Sequence, residues 1–320
     1  MSFTRTWIRG SGTPSHGNPE VSAESSIAAR LTSRRIPRRA GSPSFFTRLF
    51  RTRGSLFGLV VLALVLLLAT LATLIAPYNP NKTVETILQR PGIHNWLGTD
   101  HLGRDILSRL LYGTRVAVLA GAVSVGLAVL LGVSIGLMAG YWGGWVDDVL
   151  MRIVDTLWAF PTLVLALAIA ASLGPGLSNA MVAIGIVFTP AFARLVRGQA
   201  LSIRERDFAI AARALGAGPL RMMLCHIWPN VVGPIIVQSS LLIPQAIIVE
   251  ATLSFLGLGI EPPNPSWGSM LRQAYQYIER APWLSLFPGA AIFITVLGLN
   301  LLGDGLRVTL DVRLRQRGVS

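Results

Sequence analysis

Charge is scarce in this sequence. Asp, Glu, Lys and Arg make up 13% of its 320 residues, about half the share usual in a soluble domain, while 52% are hydrophobic and the mean hydropathy is +0.57. Such a chain cannot cover itself with polar surface, so lipid is the solvent of most of it. Cysteine is nearly absent: Cys225 stands alone, which excludes an internal disulfide. Lysine is equally rare. With Lys82 the single example, no Gly-x-x-x-x-Gly-Lys-Ser/Thr loop can be written, and ATP hydrolysis by this chain in the P-loop manner is excluded. The apolar segments hold neither a His-Glu-x-x-His cluster nor a Ser/His pair, so no catalytic residue is assigned. His16, His94, His101 and His226 are scattered. His94 and His101, flanked by Asp100 and Asp105, have neither i,i+4 spacing nor a short chelating turn, so no metal and no other cofactor is expected.

What the chain has in excess is arginine, at a formal net charge of +13. A soluble basic face would point to nucleic acid. Here the cations lie between apolar runs, which excludes nucleic acid as partner and makes them topology signals or contacts with anionic membrane lipid. Six runs approach the roughly 20 apolar residues that span a bilayer: residues 56–76, 116–140, 149–172, 179–198, 232–256 and 284–303. The third and fourth share a charge-free stretch, 156–193, cut by the turn Gly174-Pro175-Gly176. The expected fold is all-α, a polytopic membrane protein with six transmembrane helices. The first run is too long for a secretory signal and is followed by others, so it is a retained anchor.

Residues 1–53 are rich in Ser, Gly, Pro and Arg without apolar periodicity and read as a disordered basic cytoplasmic tail. Residues 54–112 hold the first transmembrane helix and a polar external connector over 77–111. Residues 113–306 hold five helices with a cytoplasmic hairpin at 197–231, and 307–320 form a second tail. Of the 28 Lys and Arg, 21 fall on the face of the two termini and that hairpin, while 7 (Lys82, Arg90, Arg104, Arg109, Arg115, Arg272 and Arg280) fall on the other. The positive-inside rule puts both termini in the cytoplasm.

Within the second run, small residues recur every fourth position at Ala120, Ser124, Ala128, Gly132, Gly136 and Gly140. That stripe lets another helix approach closely, with Gly132, Gly136 and Gly140 as the packing residues, whether in this chain or in a second subunit. Asp148, Arg152 and Asp155 have the spacing of helix-surface ion pairs. Glu250 is an ionisable group near the outer end of the fifth run. It reads either as a carboxylate lining or gating a solute pathway, or as a buried acid bonded to the turn at 257–266.

The hairpin carries the most information. Helix formers run from Asp207 to Leu215, Gly216 supplies a stop with left-handed backbone, and a second helix opens at Pro219. Phe208, Ile210 and Leu215, with the small Ala211-Ala212 surface and Arg213 between them, suit docking in a groove of another protein. At these residues the chain resembles the permease subunits of bacterial ABC importers, whose cytoplasmic motif begins Glu-Ala-Ala. Ala211, Ala212, Gly216 and Pro229-Asn230 fit, and Ile210 stands at the glutamate position. A closer resemblance, to dipeptide, oligopeptide and nickel permeases of the "C" type, covers the chain from about residue 50. It rests on residues 96–109 (Trp-Leu-Gly-Thr-Asp-His-Leu-Gly-Arg-Asp-Ile-Leu-Ser-Arg), on 250–259 (Glu-Ala-Thr-Leu-Ser-Phe-Leu-Gly-Leu-Gly) and on 262–268 (Pro-Pro-Asn-Pro-Ser-Trp-Gly).

The resemblance implies a type I importer permease fold in the bacterial cytoplasmic (inner) membrane and a non-catalytic role in a translocation pathway for peptides or similar small solutes. It also implies partners: a second homologous permease, two ATPase subunits or domains that grip the hairpin through Phe208, Ile210, Ala211, Ala212, Arg213, Leu215 and Gly216, and an extracytoplasmic solute-binding protein. The rival is a secondary transporter or channel working without ATPases, which would carry ionisable residues along its path. Glu250 alone is thin support for it.

Overall fold

The structure is a computed structural model that describes residues 53–317, with side chains as far as Thr309. The tail expected over 1–53 lies, but for Arg53, outside the described residues. Among the described residues there is no strand, only an isolated bridge between Thr99 and Asp105.

Nine helices are needed to describe residues 53–317: α1 Arg53–Ile75, α2 Ile106–Trp142, α3 Gly144–Trp158, α4 Thr162–Leu173, α5 Leu177–Arg204, α6 Asp207–Ala214, α7 Pro219–Phe255, α8 Trp267–Tyr275 and α9 Trp283–Arg317. Five of them (α1, α2, α5, α7 and, over Trp283–Thr309, α9) are long and apolar enough to cross a membrane, and α3 with α4 makes a sixth only as a pair.

That pair corrects the straight helix expected over 149–172. Its two halves meet at 95° across residues 159–161. Pro161 has no N–H for a continuing helix, and its ring excludes the carbonyl four residues back. The charge-free stretch from residue 156 onward, which runs through the break, hid it. Three other bounds move. α2 starts at Ile106, ten residues before the second run, because Asp105 caps it: its carboxylate accepts from the Ser108 N–H at 2.8 Å and the Ser108 hydroxyl at 2.7 Å. The second arm of the hairpin and the fifth run form one helix, α7. A widened π turn over Met222–Ile227 stands just before Pro229, whose ring an ordinary α turn would not admit. The last helix runs on to Arg317, through much of what was read as tail.

The core lies where α2, α5 and α7 meet, around Val133, Leu137, Ile184, Phe192, Val196 and Val231. Along the α2–α5 seam the small-residue stripe brings backbone to backbone. A Cβ at Gly132 would stand 2.7 Å from the Thr189 carbonyl, one at Gly136 2.6 Å from the Ala193 carbonyl, and one at Gly140 2.6 Å from the Ala200 Cβ. The stripe therefore faces a helix of this same chain. α1 packs likewise on α9, where a Cβ at Gly298 would meet Val61 at 2.5 Å.

Candidate coupling hairpin and outer clasp

The hairpin is built by its ends. α6 opens after the extended Arg206, whose carbonyl accepts from the Ala209 and Ile210 N–H groups at 2.9 and 3.1 Å. It closes in a Schellman motif: Gly216, at φ +84°, returns its N–H to the Arg213 carbonyl at 2.9 Å, and Ala217 returns its own to Ala212 at 3.0 Å. Nothing lies within 4 Å of a Cβ built on Gly216, so the demand for glycine there is conformational and costs any other residue about 1 kcal/mol.

Between these ends α6 turns Ala209 inward and leaves Phe208, Ile210 and Leu215 exposed at 43%, 54% and 89%. Ala211 is exposed and Ala212 half-buried. Leu220 and Leu224, on the first turns of α7, extend the apolar surface. A cleft of about 380 Å³ lies between α6 and the end of α5, lined by Arg204, Glu205, Ile210 and Arg213. Arg213 sends Nη2 to the Arg204 carbonyl, and Arg204 sends Nη1 to the Tyr141 carbonyl at 3.2 Å.

At the same end of the molecule, ion pairs run between helices rather than along α3. Arg197 of α5 grips Asp147 with Nε to Oδ1 at 2.5 Å and Nη2 to Oδ2 at 2.6 Å, and Arg194 reaches Asp155 at 2.7 Å while lying over the Trp158 ring. This replaces the expected Asp148, Arg152 and Asp155 pairing within one helix. A planar guanidinium held by the neighbouring helix offers two parallel bonds, whereas an exposed i,i+4 pair gains only a few tenths of a kcal/mol.

Glu250 lies at the other end, 1% exposed. Ser254 donates its hydroxyl to Glu250 Oε1 at 2.6 Å, and the Ser266 hydroxyl bonds the same carboxylate. The loop between these serines and the start of α8 are glycine-dependent: a Cβ at Gly259 would fall 1.8 Å from Ser254 Oγ, and one at Gly268 2.1 Å from the Ala251 carbonyl. The Gly259 carbonyl also accepts from the Gly176 N–H at 3.0 Å, which fastens the α4–α5 turn to this loop.

Sequence reasoning missed the clasp beside it. Arg104 and Arg109 were counted as topology charges, yet they are 4% and 1% exposed. Asp100 pairs with Arg104 at 2.7 Å and with Arg109 at 3.5 Å. Arg109 Nη1 donates to the carbonyls of Pro80 and Pro263, at 3.0 and 3.4 Å, so one side chain joins the connector, α2 and the loop before α8. The i,i+4 spacing of Asp100 and Arg104 was a visible signal; the reach from Arg109 to Pro263 has none. Asp100 and Asp105 are thus engaged by arginine and by the α2 cap, while His101 stacks on Tyr277 at 5.6 Å. Burial lowers the His101 pKa from its ordinary value.

Apolar spans around a tight glycine seam, with a bracketed hairpin at one end and a clasped loop at the other, define a class: a polytopic helical membrane protein. The same fold is found in the MetNI methionine ABC transporter in inward-facing conformations, with a TM-score of 0.51 and 19% identity over 63% of this chain and 96% of that one. The chain belongs to the family of binding-protein-dependent transport system inner membrane components, which residues 132–316 match, and residues 44–91 match the N-terminal TM domain of oligopeptide transport permease C. The dipeptide transport system permease protein DppC of Alkalihalophilus pseudofirmus is 44% identical over 84% of this chain and 89% of its own length. The glutathione transport system permease protein GsiD of Pectobacterium atrosepticum is 42% identical over 85% and 91%. The protein is accordingly a permease subunit of an ABC importer, a multi-pass protein of the inner membrane. Its family implies a substrate-binding protein and an ATPase as partners.

Proposed function

We propose that this chain forms half of a translocation pathway for short peptides, working with a second homologous permease, two ATPase subunits or domains and an extracytoplasmic binding protein, and taking no part in ATP hydrolysis itself. The solute class is supported by relatives named for dipeptides, di/tripeptides and glutathione, itself a tripeptide. The observation that carries the reading is the α6 face. Phe208, Ile210 and Leu215 stand exposed on a short helix whose two ends are fixed, and an apolar knob of this kind is a liability unless a partner covers it.

The orientation follows from arginine. Both termini and the hairpin at 197–231 face the cytoplasm, and the connector before α2 and residues 257–283 face outwards. Residues 113–306 make the permease core. Glu250 acts as a brace for the loop at 257–266 rather than as a group met by solute, because both serines bonded to it belong to that loop and its stem. Replacing Ala212 by Glu tests the docking face. A bulky charge there clashes and is buried unpaired in the partner groove, so ATPase association and uptake fall together while the chain still inserts. Normal uptake with normal ATPase association in Ala212→Glu would sink the assignment.

A further inference from the structure

Arg213 has the sequence position of a docking residue and lines, with Ile210, the cleft between α6 and the end of α5. Its guanidinium turns back to the carbonyl of Arg204, the last residue of α5. Arg204 in turn reaches the carbonyl of Tyr141, in the last turn of α2. Those carbonyls are the ones an α-helix leaves without intrahelical partners, at the end where its dipole is negative. Two cations therefore cap two helix ends in series, from α6 to α5 and from α5 to α2.

The covalent connection alone would not hold α6 in place. Only Glu205 and Arg206 join α5 to α6, and the far end runs into Gly216 and Gly218, around whose Cβ positions the space is open. A short helix tied at one end pivots. A second attachment at Arg213, in its final turn, removes the pivot. Further back along α5, Arg197 and Arg194 hold Asp147 and Asp155 of α3, the first half of the bent pair.

We propose that Arg213 is a positioning residue: it makes α6 and the end of α5 one rigid bracket, so that displacement of α6 is delivered through α5 to α2 and to the bent α3–α4 pair. This rests on α6 being the ATPase contact. The apolar face does the gripping; Arg213 transmits the motion.

The test uses the whole transporter with Cys225→Ser and Phe160→Cys, position 160 being exposed in the bend of the pair. The rate of maleimide labelling at position 160 is measured with and without a non-hydrolysable ATP analogue. With Arg213 present the analogue changes the rate by about five-fold or more, the low end of ordinary coupling. Arg213→Ala keeps the ATPase in the purified complex, yet the rate no longer responds. Arg213→Lys, which still places a cation at the α5 end, restores most of the response. Two results overturn the proposal: an undiminished response in Arg213→Ala, or loss of the ATPase from that variant, which would return Arg213 to the docking face. If no ATPase accompanies the complex that retains Arg213, the function proposed above fails instead, and it does so without reference to the variant.

Discussion

Arg197 and Asp147 meet in a two-pronged ion pair across 50 residues of sequence, with Nε and Nη2 of the one opposite Oδ1 and Oδ2 of the other. The pair fixes the start of α3 against the α2–α5 seam, where the Arg197 backbone lies beside Gly136 and Gly140. Arg197→Ala leaves Asp147, mostly buried, without its partner. Hydrogen exchange should then speed up across 144–158 while the rest of α5 stays protected. Unchanged exchange in α3 would show that Arg194 and Asp155 suffice to hold it.

Glycines at the α2–α5 seam should be intolerant and one on the same helix should not be. Gly136→Ala puts a methyl 2.6 Å from the Ala193 carbonyl, whereas nothing stands within 4 Å of a Cβ on Gly126. The first change should lower stability by about 1 to 3 kcal/mol, as overpacking does. Gly126→Ala should leave it unchanged or slightly raised. Melting of the detergent-solubilised subunit reads both, and equal melting points would contradict the seam.

Cysteine labelling from outside intact cells checks the orientation. Cys225 is exposed and must first be replaced by Ser. Asn264→Cys should then be labelled by an impermeant reagent and Gly218→Cys should not. The reverse pattern would invert the positive-inside reading.

Glu250 as a brace predicts a split between two substitutions. Glu250→Gln keeps an oxygen that accepts from Ser254 and should preserve folding and uptake. Glu250→Ala leaves buried hydroxyls unsatisfied, at a cost of about 1 to 3 kcal/mol, and should loosen the loop at 257–266. Loss of uptake in a fully stable Glu250→Gln variant would make the carboxylate part of the solute path.

His101 predicts acid sensitivity of the outer clasp. Its folded pKa is depressed by burial, so in acid the unfolded chain binds the proton more readily than the folded one. Stability is full above the ordinary histidine value near 6.5 and falls as pH drops below it towards the folded pKa. Proteolysis of the connector in right-side-out vesicles should therefore accelerate at mildly acidic pH. His101→Phe, which keeps the stack on Tyr277, should remove the dependence.

How much of this was legible in sequence follows from the range of the forces involved. Spans announce themselves because each must be apolar over its own length, and Gly216 showed its turn because a helix stop is decided within a few residues. The bend at Pro161 was overlooked because it lies inside the charge-free stretch 156–193, although the proline itself was visible. Arg109 was misread because its partners at Pro80 and Pro263 lie 29 and 154 residues away. The small-residue stripe announced a close neighbour and not which one; only the fold put Thr189, Ala193 and Ala200 opposite it.

That seam has a mechanical corollary. With Gly132, Gly136 and Gly140 each seated on backbone or Cβ atoms of α5, a slip of α2 along α5 by a fraction of a turn would drive carbonyls into Cα atoms. Equivalent seats along the stripe are four residues, or about 6 Å, apart. Between such seats the close backbone contact favours the two helices moving as one body.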